Sequence, residues 1–227
     1  MISLILPYWD RQQVTDKAMT LLWTHYHDLD LEIIVVDDGN KEPYRKTQWP
    51  LCVKIVRLPE KSNPMDSCLC YNKGFEVATG DYIALSNPET FHVKPVLEQM
   101  RDSIQNDNDY VMAAAWCPEH KRWHCHSSMK RSDSNDVGSF LPKGANYHFM
   151  SMMKRSLWPG FDEDYRMGAG YSDADFVMRI KDANFIMRDD LVVEHVRTGA
   201  RAQWTAPMFA RNRDIFMRKW GKNVENT

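Results

Sequence analysis

Apolar and polar residues follow two alternating periods along the first half of the chain. Short apolar runs at residues 2–6, 33–36, 53–58, 82–85 and 110–116 predict buried strands. Between these runs, apolar residues recur at helical spacing after Val14, after Ser67 and after Val93. This order of strands and helices predicts an α/β fold in which helices flank a mainly parallel sheet.

The second half of the chain has a less regular pattern. Residues 117–143 are polar and contain several histidines and serines, which predicts a long functional loop. After it, residues 147–153 predict a strand, residues 172–183 a short helix and residues 191–194 another strand. A basic helix follows, with Phe209, Phe216 and Trp220 on one side. Because there is no internal repeat or low-complexity linker, the 227 residues are expected to form a single domain.

Polar side chains follow two of the predicted strands directly. Asp37 and Asp38 come after the second strand, and Asn87-Pro88-Glu89 comes after the strand at residues 82–85. Ligands of open α/β sheets collect beyond the carboxyl ends of parallel strands. This pattern predicts a ligand site at that edge, although Asp-Gly at residues 38–39 is also an ordinary turn signal.

Composition narrows the class of protein. Lys and Arg total 29 against 31 Asp and Glu, and the formal charge of −2 gives no overall basic field for nucleic acid. The apolar stretch at residues 2–9 is too short for a signal peptide, and no later run has the length of a membrane span. Five cysteines without an export signal favour reduced thiols. A cytoplasmic protein without an integral membrane segment is expected.

Seven short motifs in order along the chain resemble those of nucleotide-sugar-dependent glycosyltransferases with the GT-A fold, most closely the inverting family 2 group. The motifs are Ile5-Leu6-Pro7-Tyr8, Val35-Val36-Asp37-Asp38-Gly39, Tyr71-Asn72-Lys73-Gly74, residues 78–83, residues 159–163, residues 170–176 with Arg179, and Glu194-His195. Each motif alone is weak, but their common order is specific.

The resemblance implies one GT-A (Rossmann-like) domain over residues 1–227. Residues 1–90 would form the nucleotide-sugar-binding half, and residues 91–227 the acceptor-binding and catalytic half. The implied enzyme is an inverting hexosyl- or pentosyltransferase that moves a sugar from a nucleotide diphosphate sugar, expected to be UDP-linked, to an acceptor hydroxyl. By similarity, the residues around the nucleotide sugar are Pro7, Tyr8, Asp37, Asp38, Asn72 and Asn87.

A divalent metal, Mn²⁺ or Mg²⁺, is implied by the same resemblance because it neutralises the departing diphosphate. Relatives carry an Asp-x-Asp motif where this chain has Asn87-Pro88-Glu89. Glu89 can still offer an anionic oxygen, whereas Asn87 offers only a neutral one. His195 matches the position of a third metal ligand. The departure predicts weaker metal binding or none, and the three residues could instead be a turn that begins a helix.

Asp173 occupies the acidic position that serves as general base in the resembled family. Ser172 is predicted to cap a helix, with Asp175 completing a pair that resembles a capping box. Asp173 would then lie in the first turn, where the helix dipole keeps the carboxylate ionised and able to accept a proton. The alternative is that these carboxylates only cap the helix. Asp175 and Arg179, one turn apart, are expected to be structural partners.

The predicted loop at residues 117–143 carries five side chains of types that bind zinc. Their spacing matches no standard zinc motif. The five are Cys117, His120, His124, Cys125 and His126. In the resembled family this region faces the acceptor, so Trp116 and Trp123 are candidates to contact sugar rings, although both would also suit ordinary packing.

The acceptor is not determined by the sequence. A glycan is favoured, and a lipid-linked acceptor or a modified DNA base is possible. The sequence is also compared with what two rival functions would require. A nucleotidyltransferase would require a basic, glycine-rich phosphate loop near the first strand, which the chain lacks. A non-catalytic sugar-nucleotide or glycan-binding module is encouraged by the altered metal motif.

Overall fold

The computed structural model describes residues 1–45, 52–60, 67–129, 142, 145, 149–165, 170–197 and 206–221. The strands are β1 (Ile2–Tyr8), β2 (Leu31–Asp37), β3 (Cys52–Arg57), β4 (Tyr82–Ser86), β5 (Thr90–Phe91), β6 (Asp109–Cys117), β7 (Arg122–Cys125), β8 (Met150–Lys154) and β9 (Asn184–His195). The helices are α1 (Gln12–Tyr26), α2 (Ser67–Val77), α3 (Leu97–Asp102), α4 (Ser172–Arg179) and α5 (Ala206–Trp220).

The described strands form one sheet with the order β3-β2-β1-β4-β8-β6-β9-β5, and β7 pairs with β6 outside this path. Strands β1 to β4 run parallel to one another. Strand β8 is antiparallel to both β4 and β6, and β9 is parallel to β6. The predicted α/β fold with a mixed, mainly parallel sheet is therefore confirmed.

The burial of strand β2 shows that the sheet is covered on both faces. All seven of its residues are buried, as expected for a parallel strand between two layers of helices. Because successive side chains point to opposite faces, Ile33 and Val35 join one apolar cluster while Ile34 and Val36 join the other. The near-continuous apolar run in the sequence follows directly from this double coverage.

The helices divide between the two faces accordingly. Side chains of α1 and α3 pack into the first cluster, and side chains of α2, α4 and α5 pack into the second. Helix α2 lies close to the sheet at Gly74, where an added Cβ would come within 2.4 Å of Ile5 Cγ2. A side chain at this position would push the helix away from β1. None of the described helices is long and apolar enough to span a bilayer.

Several element boundaries differ from the sequence-based predictions. Helix α3 begins at Leu97 because Pro95 precedes it and the backbone of Val96 is not helical. Strand β9 begins at Asn184, seven residues before the predicted start, and polar residues at 188–190 conceal its earlier part. The turn at Pro88-Glu89 is followed by strand β5, so the alternative of a turn that begins a helix is wrong.

The stretch predicted as a long loop contains a strand. Residues 122–125 return as β7 and pair antiparallel with the end of β6, which forms a tight hairpin. The polar composition hid this strand, in which Arg122 is exposed, Trp123 and His124 are half-buried and only Cys125 is buried. The strand predicted at residues 147–153 corresponds to β8, and its residues 147–148 lie outside the described residues, as do residues 130–141 and 143 of the predicted loop.

Candidate functional site

The carboxyl end of β2 makes a closed turn around Asp37. Its carboxylate accepts backbone hydrogen bonds from Gly39 and Asn40 at 3.2 Å each and from Tyr44 at 3.0 Å. Arg57 on the neighbouring strand donates to the same carboxylate at 2.9 Å. Gly39 has a φ of 78°, and an added Cβ there would lie 2.0 Å from Pro59 O. Asp37 therefore organises the loop itself.

Asp38 and Tyr8 lie side by side at the carboxyl ends of the neighbouring strands β2 and β1. The Asp38 backbone N–H donates to Tyr8 O at 3.0 Å, and both side chains are almost fully buried. The Tyr8 ring packs against Tyr44 with ring centroids 5.0 Å apart. Burial, followed by the charge of Asp37, raises the pKa of Tyr8. Pro7 precedes Tyr8 and is only half-buried, so this corner has an accessible edge.

Glu89 and His195 meet although 106 positions separate them, because β5 pairs with the end of β9. Thr90 is opposite His195, and the Val196 N–H donates to Glu89 O at 2.9 Å. Glu89 Oε1 forms an ion pair with Arg11 at 2.5 Å. Its Oε2 atom is buried and has no hydrogen-bond partner among the described residues. One carboxylate oxygen is therefore available to a ligand.

His195 also contacts a second histidine. Its Nδ1 atom lies 2.8 Å from His124 Nδ1, so one ring donates a hydrogen bond to the other. Burial lowers the pKa of His195, and burial together with His195 lowers the pKa of His124 to about 4. Both imidazoles are consequently neutral at neutral pH, which is the form that binds metal ions.

Tyr71 on α2 connects the strand end with the carboxylates. Its hydroxyl lies 3.0 Å from both Ser86 O and Asn87 Oδ1 and can donate to either. Burial raises the pKa of Tyr71 well above its ordinary value, and the negative charges of Asp173 and Glu89 raise it further. Tyr71 is thus a neutral hydroxyl group that can hold the Asn87 side chain.

Asp173 lies in the first turn of α4 and is half-buried. Among the described residues its carboxylate accepts one hydrogen bond, from Ser172 Oγ at 3.1 Å. The predicted cap is wrong: Tyr171 is the N-cap, and Ser172 is already helical and bonds to Asp173 instead of to the backbone. Tyr171 has a φ of 67°, a strained conformation for a bulky residue.

Asp175 is fixed in a different way, by four donors. The predicted pair with Arg179 is confirmed, with Arg179 Nε at 2.7 Å from Asp175 Oδ2. Helix α5 adds Trp220 Nε1 at 2.9 Å and Lys219 Nζ at 3.2 Å, and the Tyr165 hydroxyl donates at 3.3 Å. Asp175 therefore joins α4 to α5 and serves the structure.

Asn72 joins α2 to the segment around Phe161. The Phe161 N–H donates to Asn72 Oδ1 at 2.8 Å, and Asn72 Nδ2 donates to Phe161 O at 2.9 Å. The amide also donates to Glu163 Oε1 at 3.1 Å. These three bonds satisfy most of the amide, so Asn72 positions this wall of the site and has little capacity left for a ligand.

Three residues of this region were not singled out by the sequence: Arg11, Tyr71 as a link to Asn87, and His124 as a neighbour of His195. Strained backbone lies beside two of them. Among the described non-glycine residues with positive φ, Asp10 adjoins Arg11 and Lys121 lies three positions before His124, while Tyr171 lies two positions before Asp173. Strain of this kind concentrates at functional sites.

A divalent metal fits part of this arrangement. Glu89 Oε2 supplies an unpartnered oxygen and His195 supplies a neutral imidazole, but Arg11 already neutralises the Glu89 carboxylate. Among the described residues, one group of three metal-ligating side chains lies within 4.8 Å, and it consists of Cys117, His120 and His124. Glu89 and His195 stand next to this group without belonging to it.

Comparisons with known proteins agree with the fold. The family model for Glycosyl transferase family 2 matches residues 3–160, more than half of the chain. A chondroitin synthase of Pasteurella multocida (strain Pm70) is 24% identical over 115 residues, which is 49% of this chain and 12% of that protein. The chain therefore spans only a small part of this curated relative.

Solved structures resemble the chain over nearly its whole length. The mannosyltransferase PcManGT from Pyrobaculum calidifontis, in complex with GDP-Man and Mn²⁺, gives a TM-score of 0.64 at 15% identity, covering 100% of this chain and 64% of that chain. TarS 1–349 of S. aureus, in complex with UDP-GlcNAc, gives 0.69 at 14% identity, covering 96% and 66%. The chain has the fold of these transferases.

Proposed function

The chain belongs to glycosyl transferase family 2, and from this premise we propose that it is an inverting enzyme that transfers a sugar from a nucleotide diphosphate sugar to an acceptor hydroxyl. The observation that carries the proposal is the contrast between Asp173 and Asp175 on one helix. Asp175 is enclosed by donors, whereas Asp173 is half-buried and has one described donor, Ser172. Asp173 is able to accept a proton.

In the proposed reaction Asp173 is the general base. The acceptor hydroxyl attacks the anomeric carbon, and its proton moves to the Asp173 carboxylate. The bond from the anomeric carbon to the diphosphate oxygen breaks, and the leaving diphosphate keeps the electron pair. Attack and departure on opposite faces of the sugar invert the anomeric configuration. Asp173 lies in the first turn of α4, half-buried and with one described donor, so its carboxylate can be reached by the acceptor hydroxyl.

We propose that the donor lies against the carboxyl ends of β1, β2 and β4. Pro7, Tyr8 and Asp38 line the side where the base and ribose would bind, with Asp37 holding the loop that covers them. Tyr71 orients Asn87 towards the same region. Asn72 would act indirectly, through the segment that begins at Phe161.

Glu89 and His195 are the residues that would hold Mn²⁺ or Mg²⁺. When bound, the metal would neutralise charge on the departing diphosphate. Glu89 would offer its unpartnered Oε2 atom to the metal, while Oε1 stays paired with Arg11.

A UDP-linked donor and a glycan acceptor are the versions of the proposal that we favour. TarS in complex with UDP-GlcNAc supports UDP, while PcManGT in complex with GDP-Man supports GDP as the alternative. The similarity to a chondroitin synthase supports a glycan over a lipid-linked acceptor or a modified DNA base. We also propose a cytoplasmic location, supported by an odd number of cysteines.

The test is donor binding followed by analysis of the product. A ligand that binds only the folded state stabilises it by about 2.7 kcal/mol at 100 times its Kd. We expect one nucleotide class among UDP- and GDP-sugars to raise the Tm, and Mn²⁺ to increase the shift. Product formed on a glycan acceptor should have the anomeric configuration opposite to the donor. Retention of configuration would refute the inverting mechanism.

One observation favours a second function, a non-catalytic module that binds sugar nucleotides or glycans. The Arg11 ion pair occupies the carboxylate of the altered motif, as it would in a protein that no longer uses a metal there. Donor hydrolysis without acceptor separates the two functions. Turnover of the donor that is abolished by Asp173→Asn would exclude the binding module, whereas a Tm shift without any turnover would favour it.

A further inference from the structure

Cys117, His120 and His124 form a second group of polar side chains beside the proposed donor site. One ligand atom from each lies within 4.8 Å of the others. Cys117 ends β6 and is fully buried, and its Sγ donates to Glu119 Oε2 at 3.4 Å. Zinc prefers sulfur and imidazole nitrogen ligands such as these, whereas Mg²⁺ and Mn²⁺ prefer oxygen ligands.

The hairpin between β6 and β7 creates this group. Cys117 is opposite Arg122, and Lys121 in the turn has a φ of 49°, which lets the chain reverse directly after His120. The register then shifts by one residue, so His124 has no direct partner on β6. A bulge of this kind re-aims a side chain and is common beside functional sites.

His120 shows an unsatisfied atom that a metal ion would explain. Its Nδ1 atom is buried and has no hydrogen-bond partner among the described residues. The other ring nitrogen, Nε2, faces the guanidinium of Arg197 at 2.8 Å. Arg197 is exposed and can turn to solvent, so Nε2 can carry the ring proton while Nδ1 presents a lone pair to a metal.

We propose that Cys117, His120 and His124 bind one zinc ion, with water in the fourth position. A tetrahedral zinc holds nitrogen and sulfur ligands at about 2.0 and 2.3 Å, which places the ligand atoms roughly 3.3–3.6 Å from one another. The present spacing therefore has to contract by little more than about 1 Å. Binding releases the Cys117 proton to solvent, because thiolate is the coordinating form.

The site would fasten the hairpin next to His195 without using the groups assigned to the donor metal. His124 touches His195 through Nδ1, which leaves its Nε2 for zinc. Glu89 and Asp173 take no part. The inference consequently stands or falls separately from the proposed transfer reaction.

The experiment titrates the purified full chain with Co²⁺, a spectroscopic substitute for Zn²⁺. We expect one equivalent of Co²⁺ to bind with a thiolate-to-cobalt charge-transfer band, and Zn²⁺ but not excess Mg²⁺ to abolish that band. Mutation of a residue that only hydrogen-bonds to a metal ligand weakens metal binding about 10–100-fold. Removal of the ligand itself in His120→Ala should weaken Co²⁺ binding by at least about 100-fold.

Two further variants complete the test. Cys117→Ser should lose the charge-transfer band. Because Cys117 is fully buried, this substitution could prevent folding, and the half-buried His120→Ala then tests the site instead. The matched control is His126→Ala. His126 lies beside the same hairpin but outside the group of three, and its Nδ1 atom is hydrogen-bonded to the Ser128 hydroxyl. This control should bind Co²⁺ like the parent chain. Absence of stoichiometric binding by the parent, or equal losses in His120→Ala and His126→Ala, would overturn the proposal.

Discussion

The parallel half of the sheet and the half built around β9 differ in how completely they satisfy their acidic side chains. In the parallel half, Glu32 accepts hydrogen bonds from Ser3, Thr79 and Gly80 and an ion pair from Lys54. Asp37 is enclosed by three backbone N–H groups and Arg57 in the same manner. These carboxylates have little capacity left for a ligand.

The other half encloses Asp175 in the same manner but leaves oxygens available on two other carboxylates. Glu89 keeps an unpartnered Oε2 among the described residues, and Asp173 has one described donor. Buried polar atoms are normally satisfied, so an exception requires an explanation. The two carboxylates proposed for the chemistry therefore lie in the β9 half, whereas Glu32 and Asp37 of the parallel half hold the frame of the sheet.

The largest effect is expected for Asp173→Asn. Loss of a general base typically slows a reaction by about 10²–10⁴-fold, and we expect about 10³-fold here, measured as initial rate of sugar transfer. Because few groups bond to Asp173, the free energy of unfolding should stay within about 0.5 kcal/mol of the parent value. Asp182→Asn, an exposed acid beyond the same helix, is the control. Full activity in Asp173→Asn would contradict the assignment.

Asp37→Ala should do the reverse and act mainly on stability. The change leaves three backbone N–H groups and the Arg57 guanidinium without their acceptor, which should cost about 3 kcal/mol in the free energy of unfolding. Urea denaturation measures this cost. Asp81→Ala, an exposed acid in the same half, provides the comparison. A loss of donor binding without a loss of stability would make Asp37 a ligand contact instead of a frame residue.

Lowering the pH should reduce the free energy of unfolding through protonation of Glu32 in the parallel half. Burial alone would raise the pKa of Glu32, but hydrogen bonds from Lys54, Ser3 and Thr79 lower it from 4.5 to about 2. A lowered pKa stabilises the folded state above the unfolded pKa, and this contribution disappears as the pH falls from about 4.5 towards 2. Since Lys54 is partly exposed, we expect about 2 kcal/mol at neutral pH.

The measurement compares urea denaturation of the parent chain with Glu32→Gln over this pH range. The stability gap between them should be full above about pH 4.5 and should close near pH 2. Comparing the two chains cancels the contribution of His92, whose burial lowers its pKa to about 3 in both. A gap that does not change with pH would show that Glu32 acts by shape alone.

The frame was the part that the sequence could predict. Strand β2 reads as one apolar run because both faces are covered. Its last residue, Asp37, is assigned to the nucleotide sugar by resemblance, whereas its hydrogen bonds hold the following loop. Short-range patterns of this kind also predicted the Asp175–Arg179 pair, since the two residues lie one helical turn apart.

The chemistry was harder to predict because long-range pairing creates it. His124 and His195 are 71 positions apart, and they meet only because β7 and β9 both pair with β6. Strand β7 is short and polar, so no period reveals it. The Arg11–Glu89 pair likewise depends on where α1 begins relative to β5. Composition identifies such groups, but the register of the sheet decides which of them touch.

Glu89→Gln should have the smallest effect on the transfer rate, but it tests directly whether the available Glu89 oxygen binds a metal. Glutamine keeps the size of the side chain but replaces the anionic oxygens with one neutral oxygen, which Mn²⁺ and Mg²⁺ bind less strongly. We expect the Mn²⁺ concentration for half-maximal transfer to rise about tenfold, a cost of about 1.4 kcal/mol. The released Arg11 side chain can bind donor phosphate, so donor affinity should fall less than metal affinity.

Metal titrations of the transfer rate, with Glu98→Gln as an exposed control, measure this shift. Arg11→Gln separates the two possible roles of the ion pair. If the pair only holds α1 to β5, both variants should lower stability alike and leave the metal requirement unchanged. If Glu89 binds the metal, only Glu89→Gln should raise the requirement, because removing Arg11 exposes a carboxylate that then binds the metal more readily.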